Sequence, residues 1–184
     1  MILFIDTHDS LITIALKKDS ELYIKTKESE YSHSIYVMPM IEEIFTENNL
    51  DVKELKQIIV VNGPGSFTGI RIGLSIAKTT AYALNTRINT ISSLTAYLVS
   101  SNIDDDKMAV IEDNKGYYVS VFDKNNKEIV KEFYSDKNEY TSKYKEVEHT
   151  INVDKIINYI GDAESENPHH ISANYIKKIE VEKW

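Results

Sequence analysis

Residues Ile58 to Asn85 read IIVVNGPGSFTGIRIGLSIAKTTAYALN, and this stretch decides the fold. Four of the chain's six glycines (Gly63, Gly65, Gly69, Gly73) and one of its three prolines (Pro64) fall within the eleven residues from 63 to 73. The β-branched run Ile58 to Val61 predicts a buried strand that stops at Asn62. Gly63 and Gly65 then supply backbone free to take positive φ, and Pro64 supplies backbone locked near −65°. A helix begins near Ser66 or Thr68, either of which suits an N-cap. Gly69, Gly73, Ala77 and Ala81 recur every fourth position along that helix. Such a row drifts by only about 40° per step, so it stays on one broad side. Glycine inside a helix costs roughly 1 kcal/mol relative to alanine, so two of them signal a backbone that something must approach closely, another helix or a ligand.

Working outward, Ile2 to Ile5 forms an apolar strand ending at Asp6-Thr7. Leu11 to Leu16 and Glu21 to Lys27 extend it into a meander through turns at His8 to Ser10 and Lys17 to Ser20. Ser32 to Asn49 has helical spacing in Ile35, Met38, Ile41, Ile44 and Phe45, yet Tyr36, Val37 and Met40 are apolar too. A helix apolar on both sides is either fully buried or shared between core and partner. Pro39 means that this helix starts there, or begins near Ser34 and bends. His33 reads as a capping or surface residue. Arg87 to Ile91 is a further strand, so the order is three strands, helix, strand, helix, strand, as in the ribonuclease-H-like core of actin-like folds.

Ser92-Ser93-Leu94 opens a short helix over 94 to 101 and a second lobe, giving expected units of 1–92 and 93–184. Lys107 to Ile111, Tyr117 to Asp123 and Glu128 to Tyr134 alternate as strands. Residues 135 to 150 show no firm period, Val153 to Ile160 reads as a helix ended by Gly161, and 162 to 169 as an acidic loop. The terminal 171–184 suits docking as a helix or as a strand. His169-His170 is a solvated loop pair, because adjacent side chains share no face.

Length and composition narrow the function. At 184 residues, 42% hydrophobic and 27% charged, the chain buries a full core. With no cysteine it has neither disulfides nor a thiolate nucleophile or metal ligand, which fits a reducing compartment. The opening MILFIDTHDS is too short and acidic for a signal peptide and no apolar run approaches membrane-spanning length, so a cytoplasmic protein is expected. Twenty-nine acidic against 21 basic residues give a net charge of −8, without the electrostatic footprint of a nucleic-acid binder.

Phosphate motifs fail on spacing. Gly63 and Gly69 are separated by five residues and followed by Ile70-Arg71, not Lys-Ser/Thr, and Gly63, Gly65 and Thr68 miss the dinucleotide fingerprint by one position. A generic anion site at the helix N-terminus stays open beside a plain tight turn. Asp6, at the end of a first buried strand, stands where actin-like ATPases and ribonuclease-H-like nucleases place a metal or phosphate ligand, and equally where a carboxylate caps a turn. Glu112 or Asp113 joins it in an incomplete nuclease set. A peptidase lacks its means: there is no HxxxH pair, and Ser66 sits in GPGSF, not in a GxSxG elbow.

NGPGSFTGIRIG at 62–73, with Ile5-Asp6-Thr7, His33-Ser34, Met38-Pro39-Met40-Ile41 and Ser92-Ser93-Leu94, resembles the TsaB (YeaZ) family over roughly residues 1 to 98. That resemblance implies an actin-like, ribonuclease-H-like α/β fold of two lobes, the second shortened. It implies a non-catalytic subunit in forming threonylcarbamoyladenosine on tRNA, paired through first-lobe helices with a TsaD-type transferase, joined by a TsaE-type ATPase, and touching tRNA only indirectly. In isolation the same face would form a homodimer. Interface candidates are Ile35, Met38, Glu42, Phe45, Gly69, Arg71, Gly73, Leu74, Ser75, Lys78 and Tyr82, the small row admitting a partner helix. No cofactor is required; ATP or ADP at a shared interface would meet Asp6, Thr7, Gly63, Gly65 and Ser66. No catalytic residue and no metal ligand is expected. The alternative is a stand-alone ATPase or phosphotransferase of the actin and sugar-kinase type, for which the second lobe offers only Gly116 and Gly161 and no recognisable phosphate loop.

Overall fold

The computed structural model describes residues 1–29, 32–136 and 143–176. Its organising layer is a five-stranded sheet in the order β3-β2-β1-β4-β5, from β1 (Ile2–Asp6), β2 (Leu11–Lys18), β3 (Glu21–Glu28), β4 (Gln57–Val61) and β5 (Arg87–Ile91). The first three strands form the antiparallel meander, with Asp6 opposite Thr13 and Leu11 opposite Glu28. β4 runs parallel to β1, with Ile5 opposite Val60, and β5 parallel to β4, with Val60 opposite Thr90. The two crossovers are α1 (His33–Glu47) and α2 (Phe67–Leu84).

Period-two alternation sorts the sheet's side chains into two cores. Leu3, Ile5, Ile12, Ile14, Ile58, Val60 and Ile88 face α1 and α2, meeting Val37, Ile44, Leu74 and Ala77. Phe4, Ala15, Ile59, Val61 and Ile91 face the opposite way, toward α3 (Ser93–Ser100) and α4 (Val153–Ile160). A sheet covered on both faces explains why β1 and β4 are apolar at nearly every position. All residues of α3 but Thr95 are buried, because it lies between this sheet and a second one. That sheet has the order β8-β7-β6-β9, from β6 (Lys107–Asp113), β7 (Gly116–Phe122), β8 (Glu128–Ser135) and the two-residue β9 (Lys145–Glu146).

α1 starts at His33, the earlier of its two expected starts, and carries Pro39 in its interior. Other expectations meet a different outcome. His33 neither caps it nor faces solvent: the ring is buried and donates from Nε2 to the Asp9 carbonyl at 2.7 Å, tying the helix start to the β1–β2 turn. The aperiodic 135–150 region supplies β9, which lies parallel to β6 with Met108 opposite Glu146. Residues 171–176 are neither helix nor strand; Ile179, Val181 and Trp184, also part of that expectation, lie outside the described residues.

Nor does the chain after residue 92 stay in one lobe. Beyond α4 it returns to the first sheet and covers the open edge of β5. Ile88 N–H donates to Ser165 Oγ at 3.1 Å, Glu166 N–H to the Ile88 carbonyl at 2.9 Å, and Asn89 Nδ2 to the Glu164 carbonyl at 2.9 Å. An edge strand presents unpaired backbone groups, and this segment satisfies them. Farther on, Ile171 enters the α1/α2 core.

Candidate functional site

The turn after β4 is stitched to the end of β1. Ser66 caps α2, its Oγ accepting from Gly69 N–H at 3.2 Å, and its own N–H donates to the His8 carbonyl at 2.7 Å. A Cβ on Gly65 would collide with that carbonyl. One on Gly69 would strike the Thr7 carbonyl, and one on Gly73 the Thr7 hydroxyl. Thr7 Oγ1 donates to the Gly69 carbonyl at 2.8 Å, so strand and helix touch backbone to backbone. Ala77 and Ala81 continue the row, fully buried on the same sheet. The small row thus admits this chain's own first strand, which corrects the expectation that it receives a partner's helix.

Asp6 is buried, and its Oδ1 accepts from His8 N–H at 3.1 Å and from His8 Nδ1 at 2.6 Å. The other ring nitrogen, His8 Nε2, lies 2.7 Å from Tyr97 Oη. Tyr97 stacks on His149 with centroids 4.6 Å apart and planes 7° apart, and His149 Nε2 donates to the Val110 carbonyl at 2.7 Å. A continuous polar chain therefore runs from β1 through α3 to the second sheet. Burial pulls the His8 imidazole down, but the Asp6 charge, the Asp6 hydrogen bond and Asp9 outweigh it and hold the group above its ordinary value. Protonated, His8 donates from both nitrogens. Burial first, then Asp6 and Asp9, raise the Tyr97 phenol, so it stays a neutral hydroxyl.

This chain forms the floor of a cleft of about 420 Å³ lined by His8, Ser10, His33, Ser66, Glu112 and His149, among others. Of the five candidate nucleotide contacts, Gly65 and Ser66 reach it. Asp6 lines a neighbouring cavity of about 260 Å³ together with His8, while Thr7 and Gly63 are buried. Glu112 lines the cleft without Asp6, so the carboxylates of the nuclease reading are not gathered there. The carboxylate that a phosphotransferase would need is committed to an imidazole. Among the described residues no three His, Asp or Glu side chains are grouped to hold a metal. Sequence reasoning missed His8, Tyr97 and His149. His8, two positions after a strand-end aspartate, carried a signal, since residues i and i+2 share a side of extended chain. The other two are brought in by tertiary packing alone.

The candidate interface divides in the same way. Ile35 (63% exposed), Met38 (43%) and Tyr82 (70%) stand out from the surface, and Glu42, Arg71 and Ser75 are exposed beside them. Phe45, Gly69, Gly73 and Leu74 are buried in this chain's own core. The returning C-terminal segment also uses the α2 side of that face. Lys78 Nζ donates to the Ile171 carbonyl at 2.8 Å, the Arg71 guanidinium to Tyr175 Oη at 2.9 Å, and Tyr82 meets the His169 ring edge-on. Arg71 also lies 3.6 Å over the Phe67 ring.

Meander, two crossover helices and a second sheet packed through a buried helix define a protein of the actin-like, ribonuclease-H-like class. In a crystal structure of a Pseudomonas aeruginosa protein described as similar to peptidase YEAZ, 99% of that chain superposes on 96% of this one with a TM-score of 0.78 at 14% identity, which shows the fold. A family model described as TsaD, tRNA N6-adenosine threonylcarbamoyltransferase, matches residues 24–158, and the chain belongs to this family, among its TsaB (YeaZ) members. The TsaB protein of Bacillus subtilis, named for tRNA threonylcarbamoyladenosine biosynthesis, is 36% identical over 94 residues, covering 50% of this chain and 41% of that protein. A tRNA N6-adenosine threonylcarbamoyltransferase of Bdellovibrio bacteriovorus is 30% identical over 114 residues, 61% of this chain and 33% of that protein. The matches thus span less than half the length of these curated relatives. Among the described residues no helix is long and apolar enough to cross a membrane.

Proposed function

We propose that this chain is a non-catalytic subunit in the formation of threonylcarbamoyladenosine on tRNA, working in the cytoplasm by pairing with a TsaD-type transferase. The observation that carries the reading is the outer face of α1. Ile35 and Met38 are 63% and 43% exposed one turn apart, on a helix whose other side is fully used by the core. Exposed apolar side chains set together mark an interaction surface when scattered single ones do not. Glu42 continues that line, and Ser75 and Tyr82 lie on the neighbouring helix, so the docking face is α1 with the free part of α2. Without the partner, two copies would meet through the same face as a homodimer, and a TsaE-type ATPase would join the pair. An ATP or ADP shared with the partner would enter at Gly65 and Ser66, the two candidate contacts open to the cleft. The net charge of −8 leaves tRNA to the transferase.

The role is conformational: the subunit binds the active arrangement of its partner and so raises the population of that state. Met38→Lys and Ile35→Lys, tested by calorimetric titration with the TsaD-type transferase of the same organism, are expected to weaken binding by more than about tenfold, as for truncated interface anchors. Threonylcarbamoyl transfer to tRNA should fall in parallel. Unchanged affinity in both variants overturns the docking face, and full transfer activity without this subunit overturns the role.

A further inference from the structure

A cavity of about 550 Å³ lies between the end of α3, the start of β6, the β7–β8 hairpin and α4. Lys107, Lys124 and Lys155 line it, with Asn102, Asn126 and Tyr159 among their neighbours. Three lysines around one concavity are out of keeping with a chain of net charge −8.

Their circumstances differ. Lys155 is fully partnered: its ammonium donates to the Ser100 carbonyl at 3.0 Å, the Ser101 carbonyl at 2.9 Å and Asn102 Oδ1 at 2.6 Å. It neutralises the C-terminal end of α3, where carbonyls lack intrahelical donors. Lys107 is the opposite case. The residue as a whole is 2% exposed, but its ammonium opens into the cavity, and among the described residues it has neither a hydrogen-bond acceptor nor an ion pair. Burial first, and the Lys155 charge second, pull the Lys107 ammonium below its ordinary value, so the site as it stands disfavours the charge it holds.

Asp104 and Asp123 attract it from beyond contact distance. Asp123 is turned to its own hairpin, where Oδ1 accepts from Asn125 and Lys127 N–H, each at 2.8 Å. At the rim, Asn126 Oδ1 is buried with no donor. The cavity therefore presents an ammonium with no protein partner and, among its other lining residues, a buried acceptor with no donor.

We propose that this cavity binds a small oxyanion that carries its own hydrogen-bond donor, of the phosphate-monoester or hydrogen-phosphate type, with Lys107 as its principal contact. The phosphoryl oxygens accept from the Lys107 ammonium, the P–OH or a neighbouring hydroxyl donates to Asn126 Oδ1, and Lys124, exposed at the mouth, closes the charge balance. The site is independent of the docking face on α1.

The test is phosphate binding by the full chain, followed by equilibrium dialysis and by thermal unfolding at fixed ionic strength, with chloride and sulfate as comparison salts. Phosphate is expected to bind once per chain and to raise the midpoint saturably. Sulfate, which has no proton to give near neutral pH, should bind more weakly. Lys107→Met should abolish the phosphate-dependent rise in midpoint, because it removes the principal contact. It should also reduce phosphate affinity more than about tenfold, the scale of a lost charged hydrogen bond. Lys124→Ala, an exposed change that leaves folding alone, should weaken phosphate about threefold, as a partner at the mouth would. Equal responses to phosphate, sulfate and chloride overturn the proposal, and so does a wild-type phosphate response in Lys107→Met and Lys124→Ala.

Discussion

α1 and α2 lie side by side on one face of the first sheet, and each is marked in the sequence by one irregularity, surplus apolar residues in α1 and a row without bulk in α2. The structure resolves them oppositely. The bare row of α2 turns inward, where Gly69 and Gly73 let the end of β1 come within backbone contact. The surplus of α1 turns outward, leaving Ile35 and Met38 in solvent. Absence of bulk announces close approach without saying whose backbone approaches; apolar exposure does say that the surface is unfinished.

The sharpest way to break this contrast is Gly73→Leu. A side chain there meets the Thr7 hydroxyl and Ile5, so the expected result is a loss of 3 kcal/mol or more, about the upper range for overpacking, read as a drop in urea midpoint. A folded, fully stable Gly73→Leu protein that fails only to pair would put α2's small row back at an interface.

Next in size is Asp6→Ala, which strips the partner from the buried His8 imidazole and should cost about 3 kcal/mol, the scale for breaking a buried pair. This variant also carries a pH signature. The folded pKa of His8 is raised, so the folded state holds more protons than the unfolded one above the ordinary value of 6.5. The pair's contribution is complete below that value and is lost as pH rises through the folded pKa. Urea unfolding at pH 6 and pH 8 should show that decline in the wild type and lose it in Asp6→Ala. An identical slope in both would show that His8 is not charged in the fold.

Smallest in stability is Met38→Lys, expected within about 0.5 kcal/mol of wild type, as for an exposed site. Its effect belongs to binding alone. A large loss of stability would mean that α1's outer face is structural after all.

How far the sequence could be read follows the range of the forces involved. β5 and α4 are found at their observed bounds, and Ser66 as a cap, because alternation, helical spacing and turn chemistry are local. The return of the chain to the first sheet is not legible in the same way, because nothing near residues 164–166 says that their partner is Ile88 to Thr90, some 76 residues earlier. His33 misled for a similar reason. A histidine beside a helix start fits a cap, and only the position of the Asp9 carbonyl draws its ring inward. Asp6 is visible in the sequence as a strand-end carboxylate, but its pairing with His8 two residues on is fixed only by the turn that folds the imidazole back onto it. Tyr97 and Lys107 had no local sign at all, since each is distinguished only by what surrounds it in three dimensions.

The closure of β5 by residues 164–166 has a consequence for how this protein can be divided. A fragment ending at the close of β5 would have a raw margin of main-chain donors and acceptors along one side and a hole in its core where Ile171 belongs. Strands in that condition recruit other strands, so copies of such a fragment would zip together along β5 before folding independently. The tail is what keeps the molecule's own sheet from becoming a template.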